Sequence, residues 1–277
     1  MELKITTLIE NNPGTDDRLI HEHGLSLYIE FDNKKILFDT GQTGMFLRNA
    51  KLMDISLDKL DYIILSHGHY DHSGGMPRMM EIMKPDIPVI TGEGFFTPKI
   101  KKLDEGGWKT NGNPFEAHDL QDRNISLTTI SEDVTELTDK ILIFKNFTQS
   151  NTFETIDPHF HVRTDSGIVP DDFRDEIALG LKTEQGLVVI VGCSHRGIIN
   201  ILTSIQKSTG MKIRTVIGGT HLVHASQERI DRTLQALDQM DLEKVAVSHC
   251  TGEAVPQLRD HFKERFIFNC TGNIIEM

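Results

Sequence analysis

Cysteine, tryptophan and long apolar runs are scarce in this chain of 277 residues. Its three cysteines form no Cys-x-x-Cys pair, which disfavours a disulfide framework and is typical of the reducing cytoplasm, where we expect the protein to work. No run of about 18 apolar residues is present, so the sequence predicts no membrane-spanning helix. The first residues have one basic side chain and alternating apolar positions, which predict a strand instead of a secretory signal.

Basic residues are also fewer than acidic ones. Lys and Arg number 29 against 41 Asp and Glu, which gives a net charge of −12 at pH 7 and disfavours a nucleic-acid partner. The sequence contains no nucleophile elbow, no glycine-rich phosphate loop that opens a helix, and no dinucleotide fingerprint. Serine-triad, kinase and nicotinamide chemistry are therefore disfavoured, and the oligomeric state is left open.

The chain does contain a regular pattern of short apolar runs. In the first 66 residues these runs alternate with turn residues and predict strands at 5–9, 25–29, 36–38 and 62–65. After residue 176, strands at 187–191, 215–217, 245–247 and 266–268 alternate with helices near 197–207, 226–240 and 255–263. We therefore expect one α/β domain over residues 1–277, with no linker that would force a boundary.

The pattern weakens between residues 91 and 175, where Gly, Asn, Asp and Pro are scattered among short strand-like runs. We interpret this segment as an inserted capping segment that carries substrate specificity. Its basic run of Lys99, Lys101 and Lys102 is predicted to lie on a solvated surface.

Histidine, with 13 residues, is the abundant reactive side chain. Directly after the predicted strand 62–65, the segment His-Gly-His-Tyr-Asp-His places three imidazoles and a carboxylate within residues 67–72. His67 and His69 are two residues apart, so in extended backbone their side chains lie on the same side. Asp71 and His72 can face a second point where a helix begins. Imidazole and carboxylate together suit zinc, manganese or iron, whereas calcium prefers oxygen ligands alone.

This segment is an instance of the His-x-His-x-Asp-His signature of the metallo-β-lactamase superfamily, which the chain resembles. Asp39-Thr40-Gly41 resembles the early Asp-x-Gly turn of that superfamily, and the two halves resemble its αββα four-layer sandwich. Within the superfamily, the chain is similar to the subfamily of 7,8-dihydropterin-6-methyl-4-(β-D-ribofuranosyl)aminobenzene 5'-phosphate synthase. That similarity depends on four segments, Glu22–Ser26, Gly192–His195, Gly218–Leu222 and Ser248–Gly252.

The resemblance implies two divalent ions per chain, with zinc first and manganese or iron as alternatives. It implies one ion held by Asp71, His72 and His249, and another held by His67 and His69. We expect His195 to be the third ligand beside His67 and His69, although the superfamily usually places that histidine before the strand at 187–191. The chain departs from the superfamily pattern at Cys193, which stands where a bridging Asp is expected. Cys193 as a bridging thiolate and Asp175 as a third ligand therefore remain open alternatives to this ligand set.

Other residues are expected to support the site. His221 follows a predicted strand and a Gly-Gly pair that lets backbone approach a ligand, so we expect it to bind substrate or donate a proton. Asp39 is expected to hold a ligand histidine through a hydrogen bond. Glu22 and His23 are expected to line the site.

Two metal ions suit hydrolysis, because they lower the pKa of a bound water and stabilise the attacking and leaving oxygens. We therefore expect a metal-dependent hydrolase that acts on a phosphoester, a phosphodiester or a related small ester or amide, with Asp71 and His221 as catalytic residues. The substrate is expected to be a small molecule that carries phosphate. A synthase that joins a dihydropterin diphosphate to an arylamine ribose phosphate is the first alternative. A di-iron redox protein and a non-catalytic metal-binding sensor are the others.

Overall fold

The computed structural model describes residues 2–277, which divide into two compact units. The N-terminal unit comprises residues 2–130, 157–175 and 270–277, and the C-terminal unit comprises residues 131–156 and 176–269. The expectation of a single domain over residues 1–277 stays a prediction.

The strands are short and are numbered here in chain order. They are β1 (Leu3–Ile9), β2 (Ser26–Phe31), β3 (Lys34–Phe38), β4 (Tyr62–Ile64), β5 (Val89–Gly92), β6 (Lys99–Lys102), β7 (Trp108–Thr110), β8 (Leu127–Ile130), β9 (Val134–Thr138), β10 (Ile141–Phe144), β11 (Phe160–Thr164), β12 (Gly167–Pro170), β13 (Ala178–Thr183), β14 (Gly186–Val191), β15 (Ile213–Gly219), β16 (Lys244–Ser248) and β17 (Ile274–Glu276).

The α-helices are also numbered in chain order. They are α1 (Met45–Leu52), α2 (Tyr70–Ser73), α3 (Met76–Met79), α4 (Ala117–Gln121), α5 (Ile198–Thr209), α6 (Gln227–Gln239) and α7 (Val255–Phe262). Two short 3₁₀ helices, His249–Ala254 and Lys263–Arg265, flank α7. None of the helices between residues 2 and 277 is both long enough and apolar enough to span a membrane.

The N-terminal unit is built on a seven-stranded sheet in the order β17-β1-β2-β3-β4-β5-β8. The strands from β17 to β3 pair antiparallel, whereas β3, β4, β5 and β8 pair parallel. Asp32 and Asn33, with φ of 52° and 59°, form the tight β2–β3 turn, because this hairpin type needs positive φ at both positions. Met76, Met79, Met80 and Met83, which recur at helical spacing in the sequence, are all buried in the core of this unit.

The C-terminal unit is built on a six-stranded sheet in the order β16-β15-β14-β13-β10-β9. Strands β14, β15 and β16 pair parallel, so their carboxyl ends meet at one edge of this sheet. The apolar stripes of α5 and α6 are buried in one core cluster with the strands, as the 3.6-residue periodicity predicted.

The segment 91–175 is divided between the two units. Strand β8 extends the seven-stranded sheet, and β9 and β10 extend the six-stranded sheet. The remaining strands of the segment form a separate four-stranded sheet in the order β12-β11-β6-β7, which belongs to the N-terminal unit.

One predicted strand is wrong. The segment 266–268 makes only an isolated bridge between Phe266 and Val245, because a 3₁₀ turn precedes it and Phe268 is left 42% exposed. The last strand of the chain is instead β17, which pairs with β1.

Candidate metal centre

The loop after β4 holds the densest group of buried imidazoles in the N-terminal unit. His67 and His69 are buried, and His67 Nε2 lies 3.1 Å from His69 Nδ1. Burial, together with the neighbouring His72 and His69 rings, holds the pKa of His67 well below its ordinary value. The ring is therefore neutral at neutral pH, which is the form that binds a metal ion.

Asp39 anchors both ends of this loop. Its Oδ1 accepts a hydrogen bond from the Ser66 backbone N–H at 2.7 Å, and its Oδ2 accepts one from the Ser66 hydroxyl at 2.7 Å. The same Oδ2 lies 2.6 Å from His72 Nδ1. A carboxylate on Nδ1 fixes the ring and leaves Nε2 as the nitrogen that would bind an ion. The prediction that Asp39 holds a candidate ligand histidine is confirmed.

Asp71 lies beside His72 on the first turn of α2. Asp71 Oδ2 is 3.8 Å from His72 Nε2 and 3.2 Å from His23 Nε2, so His23 contacts the candidate site as expected. Glu22 has a different position: its carboxylate accepts hydrogen bonds from the backbone of Gln42 and Thr43. Glu22 therefore holds the turn after β3.

Lys99, Asp171 and Asp175 form a group of buried ion pairs beside the histidine loop. The Lys99 ammonium contacts Asp171 Oδ2 at 2.7 Å and Asp175 Oδ1 at 2.9 Å, and all three side chains are at most 3% exposed. Burial alone would lower the pKa of Lys99, but Asp175 and Asp171 outweigh it and raise that pKa, so the amine stays charged. The prediction that Lys99 lies on a solvated surface is wrong, because two carboxylates replace its hydration shell.

The other oxygen of Asp175 reaches the histidine loop itself. Asp175 Oδ2 accepts a hydrogen bond from the Gly68 backbone N–H at 2.7 Å. Gly68 has no room for a side chain, since a Cβ there would lie 2.4 Å from the Phe95 carbonyl oxygen. Both carboxylate oxygens of Asp175, the open alternative for a third ligand, are thus engaged with Lys99 and Gly68.

Aromatic rings complete the surroundings of His69. Phe173 meets the His69 ring edge to face at 5.3 Å between centroids, and Phe160 lies 5.1 Å from it. The Lys99 ammonium lies 4.8 Å from the Phe173 centroid, within the range of a cation–π contact. Apolar walls of this kind fix ring orientation and lower the local dielectric constant.

In the C-terminal unit, three loops follow the carboxyl ends of the parallel strands β14, β15 and β16. Each contains a non-glycine residue with left-handed backbone: Ser194 at φ 64°, His221 at φ 48° and His249 at φ 54°. This conformation is uncommon for such residues and often occurs at functional sites. All three loops lie at the same edge of the six-stranded sheet, because β14, β15 and β16 are neighbouring parallel strands.

His195 is held by a carboxylate that the sequence interpretation missed. Glu176 is 2% exposed, and its two oxygens accept hydrogen bonds from the backbone N–H groups of His195 and Arg196, each at 2.8 Å. The His195 ring lies 4.2 Å from the His221 ring, centroid to centroid. In the sequence, Glu176 is marked only by its position directly after another acidic residue, Asp175.

The cysteines of this edge form a cluster with histidine. The side-chain donor atoms of Cys193, His221 and Cys250 all lie within 4.8 Å of one another, and Cys193 and His249 meet the same criterion. Burial would raise the pKa of the Cys250 thiol, but hydrogen bonds with Cys193 and His221 and the nearby histidines hold it well below its ordinary value. The sequence interpretation gave Cys250 no role.

Each unit therefore contributes side chains that could ligate a metal ion. The N-terminal unit brings together His67 with His69, and Asp71 with His72. The C-terminal unit brings together His195 with His221, and Cys193 with His249. Their imidazole, carboxylate and thiolate donors suit first-row divalent ions. The assignment of individual residues to individual ions stays a prediction.

Comparison with known proteins gives consistent matches over the whole chain. Residues 21–198 match the sequence model of a family described as the metallo-beta-lactamase superfamily. The chain is 33% identical over 297 aligned residues to the 7,8-dihydropterin-6-methyl-4-(beta-D-ribofuranosyl)-aminobenzene-5'-phosphate synthase of Methanocaldococcus jannaschii, with 99% of this chain and 96% of that protein covered. An uncharacterized protein of the same organism is 30% identical, with 92% and 93% covered.

Solved structures show the same relationship. Tm1679, described as a metal-dependent hydrolase of the beta-lactamase superfamily, superposes with a TM-score of 0.82 at 28% identity, covering 99% of this chain and 98% of its own. A diphosphatase from the PhnP family gives a TM-score of 0.57 at 11% identity with the same coverage, which supports the fold alone. The predicted α/β fold class and the resemblance inferred from the sequence are both confirmed.

Proposed function

Because the chain belongs to the metallo-β-lactamase superfamily, we propose that it is a metal-dependent hydrolase acting on a small phosphoester, phosphodiester or related ester or amide. The observation that carries this proposal is the buried His67–His69 pair, whose low His67 pKa keeps a ring neutral and ready to bind an ion. Asp39 and Asp175 hold the loop that carries this pair through hydrogen bonds to Ser66, His72 and Gly68.

The donor chemistry fits two divalent ions. We assign His67, His69 and His195 to one ion. Asp71, His72 and His249 are assigned to the other. Zinc suits these imidazole and carboxylate ligands, and manganese or iron would suit them as well. The superfamily pattern supports the assignment of His67, His69, Asp71, His72 and His249, whereas the assignment of His195, which departs from that pattern, is our own proposal.

Bound ions would supply a water of lowered pKa and an electrophile for the substrate oxygen. The chain's own residues supply orientation and proton transfer. Asp71 is proposed to accept the proton of the attacking water, and His23, 3.2 Å from it and with a side chain 52% exposed, can pass that proton to solvent. His221 is proposed to contact the substrate and to protonate the leaving group.

A phosphorylated substrate is proposed because the relative that covers 99% of the chain is named for a product that carries a 5'-phosphate. The same similarity favours the second candidate, a synthase that joins a dihydropterin diphosphate to an arylamine ribose phosphate and releases diphosphate. In both reactions the bound ions would activate a phosphorylated electrophile, and the histidine loop would hold them. They differ in whether water or an arylamine sugar accepts the transferred group.

Metal content and turnover test the proposal together. Protein purified without added metal or chelator should contain at least two zinc or manganese ions per chain, in line with two-metal hydrolases. It should also hydrolyse at least one of p-nitrophenyl phosphate, bis(p-nitrophenyl) phosphate and an activated ester. His67→Ala should lose metal and activity together while its circular dichroism is unchanged. The matched control His118→Ala removes a histidine whose side chain is 68% exposed, and it should change neither.

The alternatives predict different results. The synthase predicts diphosphate release only when the pterin diphosphate and the arylamine sugar phosphate are both present. Two iron ions per chain with oxygen consumption would favour the redox protein. Bound metal without turnover on any of these substrates would favour the sensor, and a metal-free protein that no divalent ion reloads would overturn the hydrolase.

A further inference from the structure

Two of the three cysteines of this chain, far apart in sequence, meet at one point of the C-terminal unit. Cys193 follows β14, His221 follows β15 and Cys250 follows β16. Their donor atoms lie within 4.8 Å of one another, and the two cysteines are 3% and 8% exposed. Three neighbouring parallel strands thus bring two thiols and one imidazole to the same sheet edge.

The local backbone is shaped around the Cys250 sulfur. Cys250 Sγ lies 3.3 Å from the His221 backbone nitrogen and 3.2 Å from the Cys193 carbonyl oxygen. A Cβ at Gly219 would lie only 2.5 Å from this sulfur, so that position must lack a side chain for the thiol to occupy its place. The same Cβ would lie 2.7 Å from the Gly192 carbonyl oxygen, so the three loops pack tightly at this point.

We propose that Cys193, His221 and Cys250 form a binding site for one thiophilic divalent ion of the zinc class. Two thiolates and one imidazole are a known set of three zinc ligands that leaves a fourth position open. The two thiolates balance the charge of the ion, which allows the complex to be buried. Both sulfurs bind as thiolates, so any proton that a thiol still carries leaves to solvent when the ion binds.

This site shares only His221 with the residues proposed above for hydrolysis, whose metal ligands include neither Cys193 nor Cys250. His221 can serve both sites, because one ring nitrogen would bind the ion and the other would remain for substrate. The site depends on residues of the C-terminal unit alone, so it does not depend on the proposed function.

Cadmium titration of the full chain tests the site, because a cadmium–thiolate bond gives an ultraviolet charge-transfer band that imidazole and carboxylate ligands do not. The protein is stripped of metal with a chelator under reducing conditions and is then titrated with Cd²⁺ alone. We expect a thiolate band in the wild type, its loss in Cys250→Ser, and a marked weakening in His221→Asn. Cys270→Ser, a change to a part-exposed cysteine of the other unit, is the matched control and should keep the band.

His67→Ala separates this proposal from the proposed function. It removes a ligand of the hydrolytic centre and should lower the total metal content while it leaves the thiolate band unchanged. A wild type without the band overturns the cysteine site. The same holds if Cys193→Ser abolishes the band and Cys250→Ser keeps it, because the thiolate would then belong to a different set of ligands.

Thiol protection makes the test independent of the folding of the variants. In the wild type, bound Cd²⁺ should slow alkylation of Cys193 and Cys250, but not of Cys270, when each is followed by mass spectrometry. Equal alkylation rates with and without Cd²⁺, or a Cys193–Cys250 disulfide in the reduced preparation, would overturn the site.

Discussion

Asp175 Oδ2 accepts a 2.7 Å hydrogen bond from the backbone N–H of Gly68, the residue that lies between His67 and His69. Its other oxygen pairs with the buried ammonium of Lys99 at 2.9 Å. One carboxylate therefore joins the histidine loop to a charged group inside the N-terminal unit. The position of the loop depends on buried electrostatics as well as on the strand that precedes it.

Replacing Asp175 by alanine should destabilise the protein by about 3 kcal/mol, because it breaks a buried ion pair and leaves the Gly68 N–H without its acceptor. Lys99 keeps its contact with Asp171, which limits the loss. The control is Asp172→Ala, which removes a carboxylate 54% exposed and paired with Arg174, and it should cost less than about 1 kcal/mol. Urea denaturation of both variants measures the difference, and equal effects would mean that Asp175 is not an anchor.

Lys99→Met should make stability depend on pH in a definite direction. Burial already raises the pKa of Asp171 even though Lys99 lowers it, so removing the cation should raise that pKa further. When the pKa of a carboxyl is higher in the folded than in the unfolded protein, the free energy of unfolding falls as the pH rises from the unfolded pKa to the folded pKa. The variant should therefore be closest to the wild type near pH 4, and fall behind it toward pH 8 in thermal melts. Lys102→Met, an exposed neighbour, should show no such trend.

Asp39→Asn should weaken metal binding about 10- to 100-fold, because an amide orients the His72 ring less firmly and makes it less basic than a carboxylate does. A competition titration against a chromophoric chelator measures the affinity. Asp58→Asn, in an exposed turn of the same unit, serves as the control. If Asp39→Asn retained wild-type affinity, the contact between Asp39 and His72 would have no part in holding an ion.

Glu176→Gln should cost about 1–3 kcal/mol in the free energy of unfolding, since one of the two backbone N–H groups at His195 and Arg196 would face an amide NH₂ instead of an oxygen. Guanidinium denaturation at neutral pH is the measurement. Glu184→Gln changes an exposed acid in the β13–β14 turn and should stay within about 0.5 kcal/mol of the wild type. A similar cost for both would remove the anchoring role of Glu176.

Most elements of the fold could be predicted from periodicity, because burial of one face leaves a period in the sequence. The apolar stripes of α5 and α6 and the strands that precede His67, Cys193 and His249 are examples. The strand predicted at 266–268 failed because a short apolar run has no period of its own. Such a run joins a sheet only if a neighbouring strand pairs with it, and the local sequence does not show whether that strand is present.

The histidine motif, the strand that precedes it and the family could all be recognised without a structure, because they depend on residue types at short, fixed spacings. The structure was needed to show that Lys99 is buried against Asp171 and Asp175, that Glu176 holds the His195 backbone, and that Cys250 lies beside Cys193. The residues of each pair are far apart in the sequence, and no motif marks them as partners. What brings them together is the order of strands in each sheet and the need of every buried charge for a partner, and neither can be deduced from spacing alone.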